Sequence, residues 1–309
     1  MIAPLLSTHA SATARRSILL MVGASGCFAT NDAIVKFVSQ SLPGPQLIFL
    51  RSLLAAALFL LLIRQQGVMP RLAGALQPRV LARSACDAFG TVLYLLSLFH
   101  LPLANATAIN LAAPVFMTLF AVLFLGERAS PARWIAVALG FAGVLAVVQP
   151  TGDGFNAWAL LCVAGTLLQA LRDLLTRGID PTLPSMVIAL STSVFLALVA
   201  GAMTLTQGWQ PVAPWHLLLL ALAAGFLATA YLLLIASLRT GDISLTAPFR
   251  YSALLFAVVL GQVLWGQWPD PWAWGGIALL VGSGVYAAHR ERVRHAPAAR
   301  VTAAPPRPA

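Results

Sequence analysis

The sequence predicts an all-α polytopic membrane protein: ten transmembrane helices arranged as two inverted five-helix repeats. Three observations carry this expectation. The 309 residues are 60% hydrophobic and only 9% charged, with a mean hydropathy of +0.87. A soluble domain averages about 25% charged residues, because its surface must face water. Apolar runs near the ~20 residues that span a bilayer as a helix recur over nearly the whole chain. The two halves of the chain also match each other.

The ten apolar segments are 17–39, 46–64, 81–100, 104–125, 132–149, 156–176, 184–206, 214–238, 243–265 and 271–289. The connections between them carry turn chemistry, as in SLPGPQ (41–46), QPTGDGFN (149–156), GIDPTLP (178–184) and GQWPDP (266–271). The first segment raises a choice. RRSILLMVGASGCFATNDAIVKF, from Arg15 to Phe37, begins like an export signal but runs on into Asn31, Asp32 and Lys36. The apolar run continues to Val38, too long for a signal core, and ASGC lacks the Leu or Val that precedes a lipoprotein cysteine. The stretch reads as a first membrane helix.

Charge by side fixes the expected orientation. One set of connections holds Arg15, Arg16, Arg64, Arg71, Arg79, Arg83, Arg128, Arg133, Arg177, Arg239 and Arg290 onward. The alternate set holds no Lys or Arg, only Asp153 and Asp270. The positive-inside rule places the first set, and both termini, in the cytoplasm of a cell whose inner membrane the chain spans. This reading absorbs the net charge of +10. No basic stripe is interleaved with exposed aromatics, so nucleic acid is not an expected partner. Residues 1–16 are then a cytoplasmic N-terminal segment, and 290–309 a basic, Ala/Pro-rich disordered tail.

Shifting residues 97–145 by 140 positions lays them on 237–285 without a gap. Ser97-Leu98 meets Ser237-Leu238, Ala113 meets Ala253, and Phe116 meets Phe256. Gly126, Pro131 and Trp134 fall on Gly266, Pro271 and Trp274, and a shift of 141 lays Asp32-x-x-x-Lys36 on Asp173-x-x-x-Arg177. The repeats are 17–149 and 156–289. Five spans per repeat is odd, so the second copy sits upside down. Inverted repeats are a transporter architecture, with the binding site between halves near the midplane.

With these residues in view, the sequence resembles the ten-helix EamA-type branch of the drug/metabolite transporter superfamily. The resemblance covers 17–290. It rests on FATNDAIVKF in the first helix, LIFLRS with Arg51 in the second, LPLANATAINLAAPVFMTLFAVLFLGERASPARW at 101–134, and LTAPFRYSALLFAVVLGQVLWGQWPDPWAWGGIALLVGSGVY at 245–286. The APFRY…GQWPD block is similar to a subgroup with S-adenosylmethionine and riboflavin carriers. One departure is that the acid after Gly126 is Glu127, whereas its counterpart after Gly266 is Gln267. The resemblance implies a central cavity between the repeats and a secondary carrier without an ATPase domain. Its cargo would be a small organic metabolite such as an amino acid derivative, S-adenosylmethionine or riboflavin. The chain has no G-x-x-x-x-G-K-[ST] loop to cradle ATP phosphates.

Charges inside a bilayer cost several kcal/mol unless paired or wetted, so each is a functional candidate. At about 1.5 Å of rise per residue, Asp32 and Arg51 lie outward of their helix midpoints and Lys36 further out. Asp32 and Lys36, four apart, share a helical face and can pair, with Arg51 in reach of Asp32. Such pairing would hold the first two helices together; the sharper reading gives Arg51 or Lys36 a substrate carboxylate. Asp87 and Arg250 lie inward at matching depth, as a cavity pair or a structural pair. Arg250 replaces Asn110 of the first repeat. Tyr251 stands beside it, and Pro248 loosens that helix. An arginine fork suits carboxylate or phosphate, and an aromatic face suits a planar or cationic group. Arg172, Asp173 and Arg177 read as structural, Arg172 snorkelling to the inner surface. Asn31, Tyr94, Asn110, Gln169 and Tyr231 are further cavity candidates, each also able to join helices by hydrogen bonds. Gly140, Gly143, Gly282 and Gly284 read as close helix packing, and Cys27, Cys86 and Cys162 as buried small hydrophobes.

Asp32 or Asp87 is placed to carry a coupling proton; facilitated diffusion is equally open. The five histidines (His9, His100, His216, His289, His295) lie at loops, helix ends or tails, which disfavours a histidine relay. No cofactor or metal is expected, and both monomer and homodimer stay open. The competing classes are a non-transporting sensor or scaffold and an intramembrane enzyme. The enzyme lacks support in the sequence, which has no H-E-x-x-H and no G-x-S-x-G.

Overall fold

A computed structural model describes residues 3–126, 131–149, 156–240 and 246–302. Its α-helices are α1 (Ala3–Val38), α2 (Gly44–Gln65), α3 (Pro78–His100), α4 (Leu103–Asn110), α5 (Ala113–Leu125), α6 (Pro131–Val148), α7 (Ala157–Thr176), α8 (Ser185–Gln207), α9 (Pro214–Thr240), α10 (Ser252–Trp265) and α11 (Pro271–Thr302). Short 3-10 turns occupy Met69–Leu76 and Ala247–Tyr251, and no strand occurs among the described residues. Eight stretches are long and apolar enough to cross a membrane, and Trp134–Val148 is a shorter apolar helix. The protein is an all-α, multi-pass membrane protein.

Prolines open α3, α6, α9 and α11, where a missing N–H costs nothing because the first turn has no partner for it. Gly126 and Gly266 close α5 and α10 in the left-handed region, at φ 63° and 64°. These glycines are 140 positions apart, so the periodicity seen in the sequence ends in the same cap geometry twice. The opening stretch is one unbroken helix. It starts at Ala3, earlier than the expected boundary at residue 17. At the other end α11 carries on through the basic stretch to Thr302, over residues whose composition suggested disorder; alanine and arginine are good helix formers.

The fourth apolar run is not one helix. It breaks at Leu111–Ala112 between α4 and α5, because Pro114 has no N–H to return to the Asn110 carbonyl. The ninth run breaks at the matching place, where the 3-10 turn Ala247–Tyr251 passes into α10.

Helix pairing is self-consistent under exchange of halves. α1 packs on α9 as α7 packs on α3, α3 on α8 as α9 on α2, and α1 on α10 as α7 on α5. α2 with α8 and α6 with α11 pair across the same exchange. Glycine sets the closest approaches: a Cβ on Gly165 of α7 would stand 2.8 Å from the Gly90 carbonyl oxygen of α3. Between α6 and α11 a Cβ on Gly143 would meet the Gly276 carbonyl at 2.8 Å. Gly140 and Gly284 also face close neighbours, whereas Gly282 looks onto open space and Gly276 takes its place at the interface.

The outer surface of the bundle is apolar, as lipid requires, with Leu205 and Val263 among the most exposed side chains. Trp158, Trp209, Trp215, Trp268 and Trp272 are exposed at or beside helix ends on the side away from Arg64 and Arg177, the place of an interfacial aromatic belt. Cys162 is buried, while Cys27 and Cys86 are half-buried; all three are free thiols.

Candidate functional site

A cavity of about 360 Å³ lies between α1, α2, α3, α4, α7, α8 and α9, with the Ala247–Tyr251 turn and the start of α10 completing its wall. Its wall carries seven charged side chains: Arg51, Arg83, Arg172 and Arg250, with Asp32, Asp87 and Asp173. Most lining residues come from the middle of their helices and from the arginine-rich end. α3 contributes from Arg83 to Leu95, α8 from Ala189 to Leu196, and α9 from Leu227 to Leu234.

The opposite end is closed by polar contacts. Gln46 of α2 and the Gln210 backbone exchange two hydrogen bonds, at 2.7 and 2.9 Å. Lys36 donates to the carbonyl oxygens of Leu98, at 2.7 Å, and Leu101, and lies 5.6 Å from the Trp265 ring centroid. Nearby, the Gln149 amide donates to both Asp270 oxygens at 3.0 Å, tying the end of α6 to the start of α11.

Two charge groups occupy the cavity. In the first, Tyr94 donates to Asp32 Oδ2 at 2.7 Å and the Asn31 amide donates to Asp32 Oδ1 at 2.8 Å. Arg51 is 5% exposed and within Coulombic range of Asp32, Tyr94 and Tyr231, yet its Nε and Nη1 find no hydrogen-bond acceptor among the described residues. In the second group, Asp87 is held by Arg83 of its own helix at 3.0 Å and by Arg172 of α7 at 2.9 Å. Arg172 also binds Asp173, and Arg83 reaches Thr192 of α8 at 2.6 Å. On the same cavity wall, Asn110 donates to Gln169 at 2.8 Å. Phe28 and Phe59 meet Tyr231 edge to face, at 5.5 and 6.1 Å between ring centroids.

Of the expected site residues, Asn31, Asp32, Arg51, Asp87, Tyr94, Asn110, Gln169, Tyr231 and Arg250 all line this one cavity. Two do not. Lys36 turns away from Asp32, because two freed carbonyls at the α3–α4 junction offer closer acceptors. Tyr251 leans away onto α11, its ring in the space that a side chain at Gly284 would take. The pairing expected between Asp87 and Arg250 is also replaced. Asp87 pairs with Arg83 and Arg172, and Arg250 stays exposed on the cavity wall. Sequence reasoning missed Arg83 and Arg172 as cavity residues, and Asp173 with them. The i, i+4 spacing of Arg83 and Asp87 was available as a signal for the first, but nothing local announced the second. Glu127 and Asp153 lie outside the described residues.

The model of the EamA-like transporter family matches residues 15–149. A riboflavin transporter of Rhizobium johnstonii is 31% identical over 216 residues, 70% of this chain and 72% of that protein. The pseudopaline exporter CntI of Pseudomonas aeruginosa is 29% identical, over 86% of this chain and 94% of that one. An S-adenosylmethionine uptake transporter of Rickettsia conorii is 22% identical over 85% and 89%. A crystal structure of a protein 20% identical covers 89% of this chain and 97% of its own, with a TM-score of 0.62, which shows a shared fold.

Proposed function

The chain belongs to the EamA-like transporter family of the drug/metabolite transporter superfamily, and is a small-molecule membrane transporter; on that premise we propose that it is a secondary carrier working by alternating access around the cavity. The observation that carries this reading is a seven-charge cavity closed at one end and lined toward the other. A bilayer-embedded cluster of this kind is costly unless used. The two halves, 17–149 and 156–289, act as inverted five-helix repeats that rock against each other. The contact pattern that survives exchange of halves supports this, as do the two matched helix breaks near Asn110 and Arg250.

Positive-inside counting supports an inner-membrane orientation with both termini in the cytoplasm and the cavity facing inward. Substrate touches Arg250, Asn110, Gln169, Tyr231 and the Asp32 group, while the Asp87–Arg83–Arg172 network joins the halves beneath it. The chain performs no chemistry on its cargo. Cargo is drawn from the small organic metabolites that named relatives carry, with Asp32 or Asp87 as the site of a coupling proton if coupling exists.

The test is flux in proteoliposomes offered amino acids, S-adenosylmethionine, riboflavin and nucleosides, with and without a pH gradient. Loss of one compound is the expected result. No loss from folded protein would turn the reading toward a sensor, and gradient dependence that disappears in Asp32→Asn would assign the proton.

A further inference from the structure

Among the described residues, two buried side chains of the cavity carry atoms with no hydrogen-bond partner, and they are of opposite kind. Arg51 offers donors at Nε and Nη1, and Asn31, 2% exposed, offers the acceptor Oδ1. Buried polar groups are almost always hydrogen-bonded, and each orphan left dry costs about 1–3 kcal/mol. The Asn31 amide is not free to turn its nitrogen outward, because Nδ2 is held by the Asp32 carboxylate at 2.8 Å. Asp32 in turn has both oxygens engaged, by Asn31 and Tyr94. The cavity therefore presents, beside one satisfied aspartate, an unmet cationic donor and an unmet neutral acceptor.

Resting on the carrier reading above, we infer that this is the headgroup seat of the cargo: a carboxylate on Arg51 with a neighbouring N–H on Asn31 Oδ1, so that the cargo is an amino-carboxylate. The guanidinium fork matches a carboxylate in shape and charge. An ammonium beside it meets Asn31 and the negative field of Asp32. A phosphate would satisfy Arg51 but bring nothing for Asn31, and a bare amine would leave Arg51 unmet. The body of the cargo extends toward Phe59, eight residues and about 12 Å along α2, where Phe28, Phe59 and Tyr231 form an aromatic wall.

The experiment uses the full chain in proteoliposomes. L-amino acids and S-adenosylmethionine are offered, each beside its decarboxylated amine, with riboflavin and uridine as compounds lacking a carboxylate. Compounds that move should carry both groups, and each decarboxylated partner should move at least tenfold more slowly. Arg51→Gln should cut flux tenfold or more, and Asn31→Leu should raise KM more than it lowers kcat. Riboflavin or uridine moving as fast as the amino-carboxylates, or a decarboxylated amine moving as fast as its parent compound, would overturn the inference and leave the carrier standing. Unchanged flux in Arg51→Gln would do the same. No movement of any compound would remove both. The paired comparison in the wild-type chain needs no variant, so it decides the question even if an Arg51 variant fails to fold.

Discussion

The Lys36 ammonium donates to the Leu98 carbonyl oxygen at 2.7 Å, although the sequence places Asp32 one turn away on the same helix. Lys36 thereby pins α1 to the α3–α4 junction at the closed end of the cavity, with Leu101 as its second acceptor and Trp265 beside it. Hydrogen bonds to a charged donor contribute about 1.5–3 kcal/mol. Lys36→Met should loosen this end, lowering stability by about 2 kcal/mol. Maleimide labelling of Cys162, buried on α7 near the same end, should become several-fold faster. Unaltered labelling would show that the closure lies elsewhere.

Asp87 separates two arginines, and its loss should be severe. Asp87→Asn leaves Arg83 and Arg172 facing each other inside the bundle, and breaking a buried pair costs about 3–5 kcal/mol. The folded yield should collapse, and Arg172→Gln in the same chain should restore much of it. Equal loss in the double variant would mean the side chains do not act as one network.

Arg250 predicts the opposite pattern. Exposed on the cavity wall, with no ion pair among the described residues, it contributes little to folding. Arg250→Ala should leave the melting profile in detergent within a degree or two of wild type yet abolish flux. Wild-type flux in that variant would remove Arg250 from the transport path.

At Gly165 packing and site are joined. A methyl group there would stand 2.8 Å from the Gly90 carbonyl oxygen and 2.9 Å from the Tyr94 backbone nitrogen. Gly165→Ala should cost about 1–3 kcal/mol by overpacking. It should also shift Tyr94 off Asp32, so flux should fall by more than the loss of folded protein explains. A drop in flux matching the drop in folded protein would sever that link.

Much of the fold was legible because the bilayer simplifies the code. Every backbone group must be satisfied within its own helix, so recurring apolar length reports a helical, multi-pass membrane protein. The G-x₄-P-x₂-W spacing matched the two halves, and the structure shows a left-handed cap at both of its glycines, Gly126 and Gly266. Depth along each helix, the one coordinate that sequence gives directly, set Asp32 and Arg51 apart from Asp87 and Arg250, and only the packed helices brought both sets to one cavity.

Rotation about the helix axes and the choice among nearby partners belong to tertiary structure. Depth alone matched Asp87 with Arg250, whereas α7 packing brought Arg172 to Asp87 instead. Spacing alone matched Lys36 with Asp32, whereas the break between α3 and α4 supplied carbonyls that no side-chain pattern reveals. Tyr251 followed the same rule, its ring going to the space beside Gly284. The sequence by itself determined the all-α, multi-pass membrane class, because that depends on composition along one chain. Which charges touch was decided only when the helices packed, because an ion pair or hydrogen bond acts over about 3 Å and helix crossings set that distance.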